Sequence, residues 1–303
     1  MPEPKIHTWP FIFHSDGVPL AARLHRNVGN LVDPQPGLTI TGSWLTVKEQ
    51  MPEVYARALA ALGYTVLTFD FAGFGASGGE PRQTEMPARK INDITAAVRF
   101  LQTLSCVRAD AIGHLAICAS AQYAAAAIVR GAPIRSFVSV AGWFHDAATV
   151  AAYYGGESGV SQRIARAAAA MDEQIARGKS TMVPAYDAGN EQAGMFLPLD
   201  YYGSAARGAV PEWRNEMSEI TWLYWLTYDG LTTAERVDVP TLFVHSDGCA
   251  LPDNVKRIHA RMTAPRMLLW ETGFQVDFYD RPDLVALAVA GADRHFRPTL
   301  GAA

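Results

Sequence analysis

A chain of 303 residues is long enough for one large core, and also for a second small domain or a cap inserted into the first. Hydrophobic residues make up 49% of it and charged residues 18%, which excludes a disordered or collagen-like polymer. The formal net charge of −4, the pI near 6.1 and the lack of any lysine and arginine block exclude a nucleic-acid-tracking surface, so the expected partner is a small-molecule substrate.

Met1-Pro2-Glu3-Pro4-Lys5 is polar and proline-rich with no apolar stretch after it, so neither a signal peptide nor a membrane-spanning helix is expected. The cytoplasm is the default location, without membrane partners, and a homodimer is compatible with the composition. Phe11 to His14 and Val18 to Leu24 flank Asp16-Gly17, a hairpin turn signal, so the chain should begin with an antiparallel pair. Gly37 to Thr41 reads as a buried strand, followed by a helix from about Met51 to Leu62 and a strand from Thr65 to Asp70, one complete β-α-β unit.

Gly73-Phe74-Gly75-Ala76-Ser77-Gly78 matches the glycine spacing of a dinucleotide-binding loop, with Asp93 about twenty residues on. That fingerprint needs a helix opening on its glycines, and Gly79-Glu80-Pro81 breaks one. Asp93 also sits in a helix pattern rather than at a strand end, so no nucleotide and no other cofactor is expected. Ile91 to Leu104 has helical spacing, and Ala111 to Ile117 is the next strand.

The strand Ile112 to Ile117 runs straight into Cys118 and then an alanine-rich helix, Ala119 to Val129. A residue at such a turn is held in a strained conformation above the sheet, and the residues two before and two after it must be small. Ala116 and Ser120 are both small. A nucleophile there gains twice from the helix: its N-terminus lowers a thiol pKa, and the next backbone N–H, that of Ala119, can stabilise an oxyanion. Cys118 is therefore the first candidate nucleophile, set against the usual role of a free cysteine as apolar filler. Ser120 is the second, because Cys118-Ala119-Ser120-Ala121-Gln122 reads as a degraded G-x-S-x-G. Gln122 is bulky for that motif, however, and the turn would start two residues late. Cys106, Cys118 and Cys249 are too scattered for a disulfide framework and form no C-x-x-C pair, so they read as free thiols and no metal is expected.

After the strand Ser136 to Ala141 the pattern breaks for roughly ninety residues, against the 2–6 residues plus one helix of an ordinary α/β connection. Residues 1–146 and 239–303 are read as the core, and 147–238 as a helical cap inserted after the sixth strand. The insertion contains the helix signal Gln162 to Ala176 and a loop with Pro184, Gly189, Gly194 and Pro198. It also brings the rings Tyr153, Tyr154, Trp213, Trp222, Tyr224 and Trp225. With Trp143 just ahead of it, Trp222, Tyr224 and Trp225 are substrate-binding candidates for a bulky apolar or aromatic molecule; packing of cap on core is the alternative for each ring singly. Strand alternation resumes at Thr241 to His245 and at Met267 to Trp270, and a helix from about Asp283 to Phe296 closes the pattern. The fold class is α/β, with a mostly parallel sheet and antiparallel N-terminal strands.

Four pieces stand out together: Gly42-Ser43-Trp44 with Lys48-Glu49-Gln50 after an early strand, Asp70 to Ser77 after the next, the turn at Cys118, and Gly273 to Asp280 near the end. In these the chain resembles the α/β-hydrolase superfamily, and within it dienelactone-hydrolase-type and polyketide-transferase-type members, over most of its length outside the insertion. The resemblance implies the α/β-hydrolase fold and nucleophilic chemistry on an ester, lactone or thioester. It implies that the Gly42-Ser43 loop supplies a second oxyanion donor, the N–H of Ser43 or Trp44, where a simple strand-end turn is the alternative. Lys48 and Glu49 read as a solvated helix start.

In that family the acid follows the strand ending at His245. Cys249 falls at the usual position, with Asp247, the candidate acid, two residues early. The histidine should lie in Gly273 to Asp280, and the matching residue is Gln275, which cannot accept a proton as general base. His145, in Gly142 to Asp146, and His245 both stand at strand ends, where ligands gather, and His145 is the candidate substitute. A thiol needs a base less than an alcohol does, because part of it ionises near neutral pH. Acyl transfer or hydrolysis through Cys118 or Ser120 is thus the leading function. A non-hydrolytic cyclase or lyase with an incomplete triad, and a small-molecule binder without turnover, stand beside it.

Overall fold

The computed structural model describes residues 5–301. β1 (Ile6–Ser15) and β2 (Val18–Asn27) pair antiparallel around Asp16-Gly17. Both turn residues have positive φ, 47° and 81°, the mirror-image turn whose twist suits a two-residue hairpin. β3 (Gln35–Thr41) and β4 (Thr65–Phe69) lie parallel, joined by α1 (Met51–Ala61). α2 (Pro87–Gln102) leads into β5 (Val107–Ile117), and α3 (Ser120–Val129) into β6 (Ser136–Val140). Every residue of β3, β4 and β6 is buried, as a parallel sheet covered on both faces requires.

The long insertion then contributes α4 (Ala147–Ala151), α5 (Gly156–Arg177), β7 (Met182–Val183), α6 (Asp200–Gly203), β8 (Met217–Ser218), α7 (Thr221–Trp225) and α8 (Leu231–Ala234). β7 and β8 form a separate two-stranded ribbon that residue patterning does not announce, since each has only two residues. The core resumes with β9 (Thr241–Gly248), α9 (Pro252–Arg261), β10 (Arg266–Phe274), α10 (Asp277–Asp280) and α11 (Pro282–Leu300). The eight-stranded sheet runs β1-β2-β4-β3-β5-β6-β9-β10, and only β2 pairs antiparallel with its neighbours. The parallel strands β3, β5, β6 and β9 therefore end on one side, where Gly42, Cys118, Ala141 and Cys249 follow them.

The Gly73 to Gly79 loop wraps a buried carboxylate rather than a phosphate. Asp70 accepts from the Lys48 backbone N–H at 2.8 Å, from Lys48 Nζ at 2.6 Å and from the Ala76 N–H at 2.9 Å. A Cβ on Gly75 would sit 2.3 Å from that carboxylate, so the glycine serves close approach. Lys48 is consequently buried and paired, with Glu49 2.8 Å from its ammonium, and is not the solvated helix start its sequence suggests. Asp93 accepts from the Ala72 N–H at 2.9 Å and fastens the same loop to α2.

Two histidines are sealed in the sheet among threonines: His25 lies 3.1 Å from Thr8 Oγ1 and 3.2 Å from Thr68 Oγ1, and His114 2.6 Å from Thr39 Oγ1 and 3.0 Å from Thr41 Oγ1. Burial pushes the first down to about 4 and the second to about 3. The unfolded chain, titrating near 6.5, takes up these protons first, so the contribution is complete above that pH and is lost as pH falls toward 4. Stability should drop by about 2 kcal/mol per such histidine between pH 7.5 and pH 5. Urea midpoints across that range test this; a flat profile would contradict it.

Candidate active site

Cys118 has φ +58°, a conformation uncommon for a residue with a Cβ and one that costs on the order of 1–3 kcal/mol. The surroundings hold it: its N–H donates to Val140 O at 3.1 Å, and its carbonyl accepts from Ala121 at 3.0 Å and Trp143 at 2.9 Å. Ala116 and Ser120 are fully packed on either side, so the small residues the turn demands are in place. Across from it, a Cβ on Gly42 would meet Pro52 and Thr46 at 2.9 Å. The loop that glycine allows then turns at Leu45, φ +60°, with Thr46 Oγ1 donating to Ser43 O at 2.6 Å.

The Cys118 thiol shares one small cavity wall with Ser43, Trp44, Ala119 and Tyr279, whose hydroxyls and backbone N–H groups act on it as donors. Burial pushes the thiol above its ordinary value, and these four donors recover only part of the shift. The sequence expectation of a partly ionised thiol thus fails: the helix N-terminus is present, but desolvation outweighs it.

The hydroxyls belong to a network. Tyr202 donates to Ser43 Oγ at 2.8 Å, Ser43 Oγ lies 3.3 Å from the Tyr279 hydroxyl, and Gln275 Nε2 donates to that hydroxyl at 3.1 Å. Gln275 also donates to Ala141 O at 2.7 Å and accepts from the Ala250 N–H at 2.9 Å, so it pins together the ends of β6, β9 and β10. Cys249 is buried, accepts from Ser246 Oγ at 3.3 Å, and has its thiol pushed up to about 11 by burial. It carries no charge at neutral pH.

The other sequence candidates lie elsewhere. Ser120 donates to Ile117 O at 3.2 Å inside the first turn of α3. Asp247 is 72% exposed and paired with Lys256 at 2.8 Å, with Trp270 Nε1 at 3.2 Å. His145 accepts at Nδ1 from the Trp143 indole at 2.7 Å and donates from Nε2 to Trp225 O at 2.8 Å. Because an indole only donates and a carbonyl only accepts, the tautomer is fixed and both nitrogens are used. Burial pushes this imidazole down to about 4, so it is a neutral brace between core and insertion. His245, likewise pushed down to about 4 by burial, packs against the Trp270 ring at 5.4 Å.

A cavity of about 70 Å³ opens at the thiol, lined by Ser43, Trp44, Cys118, Ala119, Trp143, Tyr154, Met195, Leu199, Tyr202, Trp225, Gln275, Val276 and Tyr279. No charged side chain and no histidine is among them. It adjoins a vestibule of about 260 Å³ that shares Trp143, Tyr154, Met195, Leu199 and Gln275 and adds Tyr153, Phe196, Leu197 and Cys249. Of the ring candidates, Trp143 and Trp225 line the inner cavity, and Trp225 is stacked on Trp44 at 4.5 Å. Trp222 packs behind, against Trp44 and Tyr154, and Tyr224 is half-buried away from both cavities. A roomier groove of about 740 Å³ between β1 and α2 contains no candidate nucleophile.

Residue reasoning missed Tyr202 and Tyr279. Tyr279 had a signal, since it stands four residues after Gln275, one helical turn on. Tyr202 had none, because nothing in its segment fixes how a four-residue helix turns. Among the described residues no group of three or more His, Cys, Asp or Glu could hold a metal ion, and no helix is long and apolar enough to cross a membrane.

No family model matches the chain. It is 28% identical over 280 residues to PA2218 of Pseudomonas aeruginosa, covering 89% of this chain and 75% of that one. The crystal structure of PA2218 superposes with a TM-score of 0.83 at 24% identity, over 96% and 94% of the two chains. The polyketide transferase claH of Penicillium crustosum is 32% identical over 117 residues, 38% of each chain. The α/β hydrolase GrgF from Penicillium sp. sh18 superposes with a TM-score of 0.80 at 18% identity, over 98% and 99% of the chains. PA2218 apart, the chain spans less than half the length of the curated relatives it matches.

Proposed function

We propose, from the α/β-hydrolase fold that the chain shares with GrgF, that it transfers or hydrolyses acyl groups through Cys118. The observation that carries this reading is the convergence on one sulfur of a left-handed strand-to-helix turn and two backbone donors, Trp44 and Ala119. Attack by the thiol on a carbonyl places negative charge on the carbonyl oxygen, and preorganised N–H groups are the groups that stabilise it. Ser43 then acts through its hydroxyl, and Trp44 through its backbone. Ser120, Asp247 and His145 take no part in the chemistry, since their polar atoms are engaged elsewhere.

The inner cavity holds a carbonyl and little more, while the vestibule of about 260 Å³ suits a bulky apolar or aromatic acyl group. Its uncharged lining favours a neutral small molecule. The transferase name of a relative that matches 38% of the chain supports group transfer without fixing the substrate. A second reading, a non-hydrolytic cyclase or lyase, is favoured by Gln275 and Cys249 standing where the family's base and acid would be.

The test is covalent trapping. On incubation with p-nitrophenyl and thioester acyl donors, the peptide containing Cys118 should gain the mass of the acyl group, and prior alkylation with iodoacetamide should block it. Turnover of a substrate with no adduct at Cys118 would favour the second reading.

A further inference from the structure

We propose, on the reading that Cys118 is the nucleophile, that the hydroxyls of Ser43 and Tyr279 carry the thiol proton to the leaving group, the task an imidazole performs in a triad. The hydrogen-bond inventory around the sulfur leads to this. Tyr202 donates into Ser43 Oγ at 2.8 Å, and Gln275 donates into the Tyr279 hydroxyl at 3.1 Å. Each central hydroxyl thus has one lone pair occupied from outside and keeps one proton to give. Only one of those two protons can lie in the 3.3 Å contact between Ser43 and Tyr279. The other is free to point at Cys118, which lines the same small cavity as both hydroxyls and on which both act as donors. The network is polarised toward the sulfur by its own terminal donors.

In the acylation step a bond forms between Cys118 Sγ and the acyl carbon, and the bond from that carbon to the leaving atom breaks. As it does, the S–H proton passes to the free lone pair of whichever hydroxyl donates across the 3.3 Å contact, that hydroxyl's proton crosses to the other, and the other's proton passes to the leaving atom. The products are acyl-Cys118 and a protonated leaving group, with no base left charged. Tyr279 serves as a relay and never as a standing tyrosinate, since burial, first of all, holds its hydroxyl well above the ordinary phenol value.

A relay of weak acids has a chemical limit. It can hand one proton between groups of similar basicity, as between two thiols, but an alkoxide must be protonated by something stronger as it departs. The site therefore selects thioesters over alkyl esters. It also leaves the acyl-enzyme resistant to water, which needs a base to attack, and open to an amine, which attacks as the neutral molecule.

The experiment compares two hexanoyl thioesters, one of N-acetylcysteamine and one of p-nitrothiophenol, whose weakly basic thiolate leaves without a proton, the S–H proton of Cys118 then being released to solvent water. Acylation of Cys118 is followed by mass. Tyr279→Phe should slow the first by about 10²-fold and the second by less than about threefold, and Ser43→Ala should show the same split. Retained reaction with p-nitrothiophenyl hexanoate shows that each variant is folded. Equal losses on both thioesters, or no loss on either, would overturn the relay while leaving Cys118 as nucleophile. If the wild-type protein acquires no acyl group at Cys118 from either thioester, the nucleophile assignment fails, and the relay with it.

Discussion

Cys118→Ser should be as inactive as Cys118→Ala in acyl transfer, at least about 10³-fold below wild type. In an enzyme with a histidine base a serine can serve as nucleophile, because the imidazole removes the alcohol's proton during attack. Here the groups around the attacking atom are Ser43, Tyr279 and two backbone N–H groups, all donors. A thiol, even one raised by burial, can give up its proton to a departing thiolate. A serine hydroxyl cannot, and nothing beside it is basic enough to help. The substitution should be nearly silent in stability, since the side chains are similar in size and the left-handed backbone at residue 118 is held by Val140, Ala121 and Trp143. Thioester turnover and thermal melting, measured together, decide the matter: a folded Cys118→Ser variant within tenfold of wild type would mean that a base reaches this atom.

How much of this was legible in the sequence varies with how local the determinant is. The hairpin at Asp16-Gly17, the strand ending at Ile117 and the small residues Ala116 and Ser120 are written within a few positions, and the backbone follows them. Polar side chains were harder, because their roles depend on distant partners. Lys48 looks solvated until Asp70, twenty-two residues away, folds beneath it. His145 looks like a base at a strand end until Trp143 and Trp225 occupy both nitrogens. Asp247 looks like an acid two residues early, yet those two residues turn it into solvent beside Lys256. The helix Pro252–Arg261 went unread because few apolar residues mark it, and Val255 and Ile258 are its only buried aliphatic side chains. Five of the thirteen residues lining the inner cavity, Tyr154, Met195, Leu199, Tyr202 and Trp225, come from the segment between β6 and β9, whose packing has no period to read.

Gln275→His combined with Cys249→Asp should raise hydrolysis of simple aryl esters by about 10²-fold or more, because general base catalysis is typically worth 10²–10⁴. Gln275 lines both the inner cavity and the vestibule, and Cys249 lines the vestibule beside it. An imidazole at the first position faces the space the thiol faces, and a carboxylate at the second stands where the family's acid follows β9. The pH profile gives the sharper readout. A base must be neutral to act, so hydrolysis by the double variant should rise with pH through about 6.5, the ordinary imidazole value. The wild-type cavity has no side chain that titrates there, and its rate should be flat across the same range. The gain has a structural cost, since Ala141 O and the Ala250 N–H lose the amide that pairs them. Orphaned buried groups cost about 1–3 kcal/mol each, so the double variant should melt well below wild type. Cys249→Asp alone should be destabilised without any gain, because its new carboxylate would be buried with no partner. A double variant that is folded, yet as slow on aryl esters as wild type, would show that residue 275 cannot present a base to the thiol, and that the departure from a triad runs deeper than two substitutions.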